Sequence, residues 1–323
     1  MQYTFLGRTG LKVSRMCLGT ATFGVDADEQ MSHAILDRAY EGGVNFIDTA
    51  NAYNKGLAES YVGGWIKDRR DKIVLATKVY TRVGPSPTDH GLSAKHIKHQ
   101  VEESLRRLRT DYIDLYQSHY PDPNTRLEVT LRAFDALVRE GKVRYIGCSN
   151  HDAWQVCKAL WVSDKHNYVG YESAQPWYSL LSREIEREML PLCADQHLGV
   201  ICWNPLAGGF LTGKYQRSQE PPPGTRFSGH QTERYRTRYW HDANFDVVER
   251  LRAISQQSGK SLCHLALGWV LGNKTVSSAI VGARRLDQLD ENLAIVDQPL
   301  TADEYRACTE ASAGAFVQIH RSA

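Results

Sequence analysis

A chain of 323 residues, 42% hydrophobic and 24% charged, carries enough apolar material for a large core. Its 39 basic and 37 acidic residues nearly cancel, which excludes the strong basic excess of a dedicated nucleic-acid or membrane-surface binder. No apolar stretch approaches the ~18 residues of a membrane-spanning helix. The start, Met1-Gln2-Tyr3-Thr4-Phe5, lacks the basic region and apolar run of a secretory leader. Seven cysteines, an odd number with no Cys-x-x-Cys pair, read as reduced and mostly buried. A cytoplasmic protein is expected.

In chain order, eight short apolar runs read as strands: Met16–Thr20, Asn45–Asp48, Ile73–Lys78, Ile113–Gln117, Tyr145–Ser149, Ser173–Pro176, Gly199–Trp203 and Val276–Val281. Helical patterns lie between them. One runs from Ser93, a candidate N-cap, to Leu108, with Ala94, Ile97, Val101, Leu105 and Leu108 on one stripe. A second runs from Arg126 to Glu140 and stops at Gly141. A third carries Leu286, Leu289, Leu293 and Val296 on one face, and Thr301 caps a final helix. Residues 205–243 interrupt the repeat as a long loop after the seventh strand, rich in Arg, Tyr and Trp near its end. Eight β/α units predict an α/β chain folded as one (β/α)8 TIM barrel, a single domain over residues 1–323. A doubly wound sheet is disfavoured because no Gly-x-Gly-x-x-Gly turn occurs.

A parallel barrel gathers its strand ends on one face. Asp48, Lys78 and His119 stand at or just past such ends, and Tyr53 follows Asp48 by five residues. Acid, amine, imidazole and phenol together suit proton donation to a carbonyl oxygen. A free phenol titrates near 10. An adjacent ammonium from Lys78 lowers that value by favouring the phenolate, and a shift of ~2 units is worth ~2.7 kcal/mol. Asp48 holds Lys78 charged, and His119 orients the carbonyl. Taken singly, each residue reads better as a strand-end cap, a surface charge or a packed loop histidine; their joint placement reverses that judgement.

The strings Asn45-Phe46-Ile47-Asp48-Thr49-Ala50 with Tyr53, Ala76-Thr77-Lys78, Asp114-Leu115-Tyr116 with His119, and Gly141 to Asn150 resemble the aldo-keto reductase signature. The branch includes potassium-channel β subunits and bacterial NADPH-dependent reductases. The resemblance implies a barrel that binds a nicotinamide cofactor, with Tyr53 as general acid supported by Asp48, Lys78 and His119. It further implies cofactor contacts from Gly19, Thr20, Asp48, Ser149, Asn150 and Gln175, and from Trp203 against the nicotinamide ring. Asn204, Pro205, Leu206, Ala207, Gly209 and Lys214 resemble the loop over the pyrophosphate, its glycines letting backbone amides approach phosphate. Gly282, Arg284, Gln288, Glu291 and Asn292 resemble the adenosine end, with Gly282 opening a helix toward an anion. Arg284 and Arg226 are candidates for a 2′-phosphate, which favours NADPH over NADH.

The expected partner is a small carbonyl substrate, touching Tyr53, His119, Tyr80 and Tyr120. Phe23, Trp177, Tyr178 and Tyr239 or Trp240 are further candidate lining residues. No nucleic acid, membrane or metal is expected, since His96 and His99 lack companion ligands. Oligomeric state is open. Gly208 to Lys214 fits the front of a phosphate-binding P-loop, but Tyr215 stands where Ser or Thr must hold magnesium. A regulatory, non-catalytic reading is the other rival. The channel subunits characteristically carry Asn where this chain has His119, a departure toward the enzymatic pattern.

Overall fold

A computed structural model describes residues 1–229 and 232–317. Its chain begins with a hairpin, β1 (Tyr3–Phe5) against β2 (Lys12–Ser14). Eight strands then alternate with helices: β3 (Met16–Gly19), β4 (Phe46–Asp48), β5 (Val74–Val79), β6 (Ile113–Ser118), β7 (Val143–Ser149), β8 (Tyr171–Gln175), β9 (Gly199–Trp203) and β10 (Val276–Val281). All eight pair in parallel, and β10 closes onto β3, giving a (β/α)8 barrel. The eight expected strands are the barrel's eight: Gly199–Trp203 and Val276–Val281 coincide with the expected ranges, and the other six differ by one or two residues at one or both ends.

The helices are α1 (Glu29–Glu41), α2 (Leu57–Ile66), α3 (Ala94–Leu108), α4 (Leu127–Arg139), α5 (Ala153–His166), α6 (Met189–Asp195), α7 (Thr232–Tyr239), α8 (Asp242–Ser258), α9 (Leu262–Gly272), α10 (Leu286–Val296) and α11 (Ala302–Ala311). The Ser93 hydroxyl accepts from the His96 amide at the start of α3, which buries Ile97, Val101, Leu105 and Leu108. Thr301 and Glu304 form a reciprocal capping box on α11. Two features escape the sequence reading. The hairpin is one; the other is structure within 205–243, where a tight turn and α7 replace the expected open loop.

Period-two alternation decides what each strand offers the barrel interior. Phe46, Val74, Ala76, Leu115 and Ile201 join Leu6 and Val13 of the hairpin, and Cys17, in one inner cluster. The hairpin thus plugs the barrel at its N-terminal end. Two residues further along the same strands stand Asp48, Lys78, Gln117 and Trp203. Thr77, of opposite parity, bonds outward to Glu59 of α2 at 2.6 Å. The interior is therefore mainly apolar in its lower layers, broken only by small hydroxyls such as Ser173, and its charged and amide side chains stand in the layer at the C-terminal mouth.

Candidate functional site

Lys78 lies at the end of β5, fully buried, and Asp48 at the end of β4 is 2% exposed. Asp48 Oδ1 accepts from the Lys78 ammonium. Lys78 also donates to the Thr49 carbonyl at 2.9 Å and to the Tyr53 hydroxyl at 3.4 Å. The other Asp48 oxygen accepts from the side-chain amides of Gln117 at 3.1 Å and Gln175 at 2.9 Å. A buried charge is tolerable only when paired and hydrogen-bonded, and this one is both. Gln117 is the member that sequence reasoning missed. Its signal was available: a lone polar residue of inward parity at a strand's end.

Tyr53 opens a short 3₁₀ turn in which Asn54 and Lys55 are left-handed, and the Asn54 amide ties that turn to the Gly24 carbonyl at 2.5 Å. His119 follows β6, its ring edge-on to Tyr53 at 5.8 Å and stacked on Tyr120 at 5.0 Å. The four expected side chains thus come together at one mouth.

Burial, opposed by Lys78, raises the Tyr53 pKa above the usual phenol value. The expectation that Lys78 lowers it outright is corrected: the ammonium offsets part of a larger desolvation effect. Lys78 is itself held above the usual amine value; burial opposes this, but Asp48 and Tyr53 outweigh it. Burial, then the charges of Lys78 and Arg234, press His119 well below the ordinary imidazole value. It is therefore neutral at pH 7, with a single N–H to donate.

These side chains open into a cavity of about 1060 Å³. Tyr53, His119, Tyr80 and Tyr120 line it, as do all the expected cofactor residues except Ala207. Ala207 is fully buried beneath the turn. Of the further aromatic candidates none lines the cavity. Tyr178 packs on Trp269, and Phe23 is buried. Trp240 joins a cluster with Phe210, Tyr215, Phe227 and Phe245. Tyr239 takes a hydrogen bond from Asn204 at 2.6 Å, and Trp177 stacks on Trp203 at 5.4 Å. They support the wall rather than form it.

Strands β7 and β9 are each followed by an asparagine with positive φ, Asn150 (60°) and Asn204 (61°), a conformation that Asn tolerates better than most residues. The chain turns sharply there and puts Ser149, Asn150 and Trp203 on the cavity wall. Asn150 donates to the His119 carbonyl and the Ser149 hydroxyl, and Gln175 donates to Asp48 and Gln117. Both amide oxygens remain without a donor among the described residues. A planar carboxamide beside Trp203 finds acceptors there for its N–H groups.

Two sequence expectations about phosphate are corrected. The amides of Ala207, Gly208 and Gly209 bond within their own turn, to the Asn204 carbonyl, the Asn204 side chain and the Leu206 carbonyl. They are not free to cradle a phosphate. Gly209 instead makes room for Lys214, whose ammonium lies 3.0 Å from where a Cβ would stand. Gly282 does not open a helix either, since α10 begins at Leu286 after the N-cap Arg285.

Anion recognition at this end falls to side chains. Partial burial, then the charges of Arg284, Arg226 and Arg285, depress the Lys214 pKa, so these cations stand close together. Arg284 donates to the Gly224 carbonyl and Arg226 to the Tyr235 hydroxyl at 2.6 Å, fastening the 213–229 segment over the cavity. The long cavity, aromatic and amide-lined at its base and cationic at its far end, fits a nicotinamide dinucleotide.

The family model for the aldo/keto reductase family matches residues 15–313. An uncharacterized oxidoreductase, YrpG, of Bacillus subtilis is 41% identical over 95% of this chain and 94% of its own length. A probable voltage-gated potassium channel subunit beta of Arabidopsis thaliana is 38% identical over 92% of each chain. The protein Tas of Escherichia coli is 33% identical over 94% of this chain and 95% of its own.

Proposed function

The chain belongs to the aldo/keto reductase family, and we propose that it reduces an aldehyde or ketone to the alcohol, reversibly, with NADPH as reductant. The observation that carries this reading is the bonded set Asp48–Lys78–Tyr53 beside a neutral His119, at the base of a cavity shaped for a dinucleotide. A reduced nicotinamide, when bound, supplies the hydride.

The chain's own part is the proton. His119 donates its single N–H to the carbonyl oxygen and sets its direction. Tyr53 gives its hydroxyl proton to the same oxygen as negative charge develops there. Lys78 stabilises the phenolate left behind, and Asp48 keeps Lys78 charged and fixed. Gln117 and Gln175 hold Asp48 in turn. Trp203, backed by Trp177, offers a flat face for the ring, and Asn150 and Gln175 offer acceptors to its carboxamide. Lys214, Arg226 and Arg284 take the phosphates, with Arg284 and Arg226 the candidates for the 2′-phosphate that distinguishes NADPH. Tyr80 and Tyr120, 5.6 Å apart, form the aromatic side of the substrate's entrance.

The channel-subunit name of some relatives supports a second reading, a regulatory protein with little turnover. Rates of NADPH oxidation with a panel of aldehydes, keto-sugars and α-diketones decide between the two. Turnover that Tyr53→Phe abolishes while NADPH still binds supports the reductase. No turnover by the native protein with bound NADPH overturns it.

A further inference from the structure

Resting on the reductase reading, a further inference concerns what the substrate carries besides its carbonyl. Helix α7 sets Arg234 and Arg238 one turn apart on the cavity wall. Arg238 is only 8% exposed. Its guanidinium lies over the rings of Trp177 at 4.9 Å and Trp203 at 5.8 Å. Stacking occupies the face of the planar group and leaves the donors on its edge. Among the described residues no carboxylate or carbonyl accepts from Arg238, and its buried Nε has no hydrogen-bond partner. Arg234 likewise has no ion-pair partner among the described residues. Its charge reaches both Arg238 and His119.

Two like charges, one of them buried with an unmet donor, are costly to keep unless something anionic comes to them. The acids lining the cavity do not fill that place. Asp48 is bound to Lys78, Asp287 to Arg285, Asp26 exerts its charge on Arg226, and Glu291 accepts from the Ser261 hydroxyl at 3.2 Å. Nor do the two arginines belong with the phosphate cations. Lys214 feels Arg284, Arg226 and Arg285 but neither Arg234 nor Arg238, whereas His119 feels Arg234; Arg226, whose charge also reaches Tyr53, lies between the two groups. The cavity's cations thus run from Lys214, Arg284 and Arg285 at the far end, through Arg226, to Arg234 and Arg238 of α7 on the wall beside Trp203.

We propose that Arg238, assisted by Arg234, recognises an oxyanion on the substrate, so that the favoured carbonyl compound carries a phosphate ester or a carboxylate at the end remote from the C=O group. Arg238 provides the bidentate fork in a dry setting, and Arg234 adds field from a more exposed position.

The test uses the full chain with NADPH and two matched pairs: glyceraldehyde 3-phosphate against glyceraldehyde, and succinic semialdehyde against butanal. In at least one pair kcat/KM favours the anion by tenfold or more, and the pair that does so identifies the group. Arg238→Met lowers that anionic-to-neutral ratio about 30-fold, mainly through KM. Arg234→Gln lowers it about fivefold, in keeping with its exposure. Arg238→Lys keeps the charge without the fork and falls between. If Arg238→Met weakens NADPH and leaves the ratio unchanged, the residue serves the cofactor and the proposal is overturned.

A binding measurement separates this idea from the reductase reading. Glycerol 3-phosphate or succinate added to the protein with NADP⁺ changes tryptophan emission, because Arg238 lies on two indoles; glycerol does not. Emission changes that Arg238→Met removes, without turnover of any aldehyde, uphold the anion site and sink the reductase. Turnover of neutral aldehydes with no anion preference and no emission change does the reverse.

Discussion

Two regions of one cavity treat charge in opposite ways. At the base, Asp48 and Lys78 are buried and bonded to each other, and Gln117, Gln175, the Thr49 carbonyl and Tyr53 take up their remaining capacity. On the walls, Lys214, Arg234 and Arg238 have no carboxylate partner among the described residues. Charges that the protein neutralises for itself fix geometry. Charges that it leaves open are where the proposed ligands would complete the pairing.

The largest effect should come from the base. Tyr53→Phe is expected to lower kcat about 10³-fold while the NADPH dissociation constant, read by fluorescence, stays near native. If kcat survives, the acid lies elsewhere. Asp48→Asn leaves the Lys78 ammonium buried beside a neutral amide, and urea unfolding should show a loss of about 3–5 kcal/mol. A loss under 1 kcal/mol means that water reaches the pair. Arg284→Ala tests the wall instead: fold stability should hardly move, but NADPH should weaken about tenfold more than NADH in parallel titrations. Equal weakening removes Arg284 from the 2′-phosphate.

The smallest effect is a pH response confined to the alkaline side. Lys78 is raised in the fold above its unfolded value of about 10.4, so its stabilisation is complete below that pH and is lost as pH climbs through the folded value. Tyr53, likewise raised, stays protonated through neutrality. His119, already neutral at pH 7, contributes no change from pH 6.5 to 9. Initial rates of reduction should be flat over that range and fall above about pH 10. A limb near pH 7 assigns the proton to another group.

The base was legible in the sequence because a strand's two-residue period is short and strict. Phe46 before Asp48, Ala76 before Lys78, and Leu115 before Gln117 each announce which polar residue looks inward. The walls were harder to read. Their residues sit on loops and on α7, where no periodicity says which side chain meets the cavity, so Tyr178 and Trp240 read as well as Tyr80. The left-handed turn at Ala207, Gly208 and Gly209 looked like a phosphate cradle because glycine content does not reveal which amides are already spent. The hairpin was invisible for a simpler reason. Strands of three residues carry almost no pattern, and only the packing of Leu6 and Val13 into the barrel justifies them.

That hairpin makes the barrel a well with a floor. Nothing passes through it, so both reactants proposed above must use the single opening at the top. On the proposed function, a nucleotide would lie deepest, under the strap that Arg284 ties to Gly224, with the carbonyl compound above its ring. Traffic through one doorway would then be sequential: the larger molecule would enter first and leave last, and an alcohol still seated above it would delay its departure.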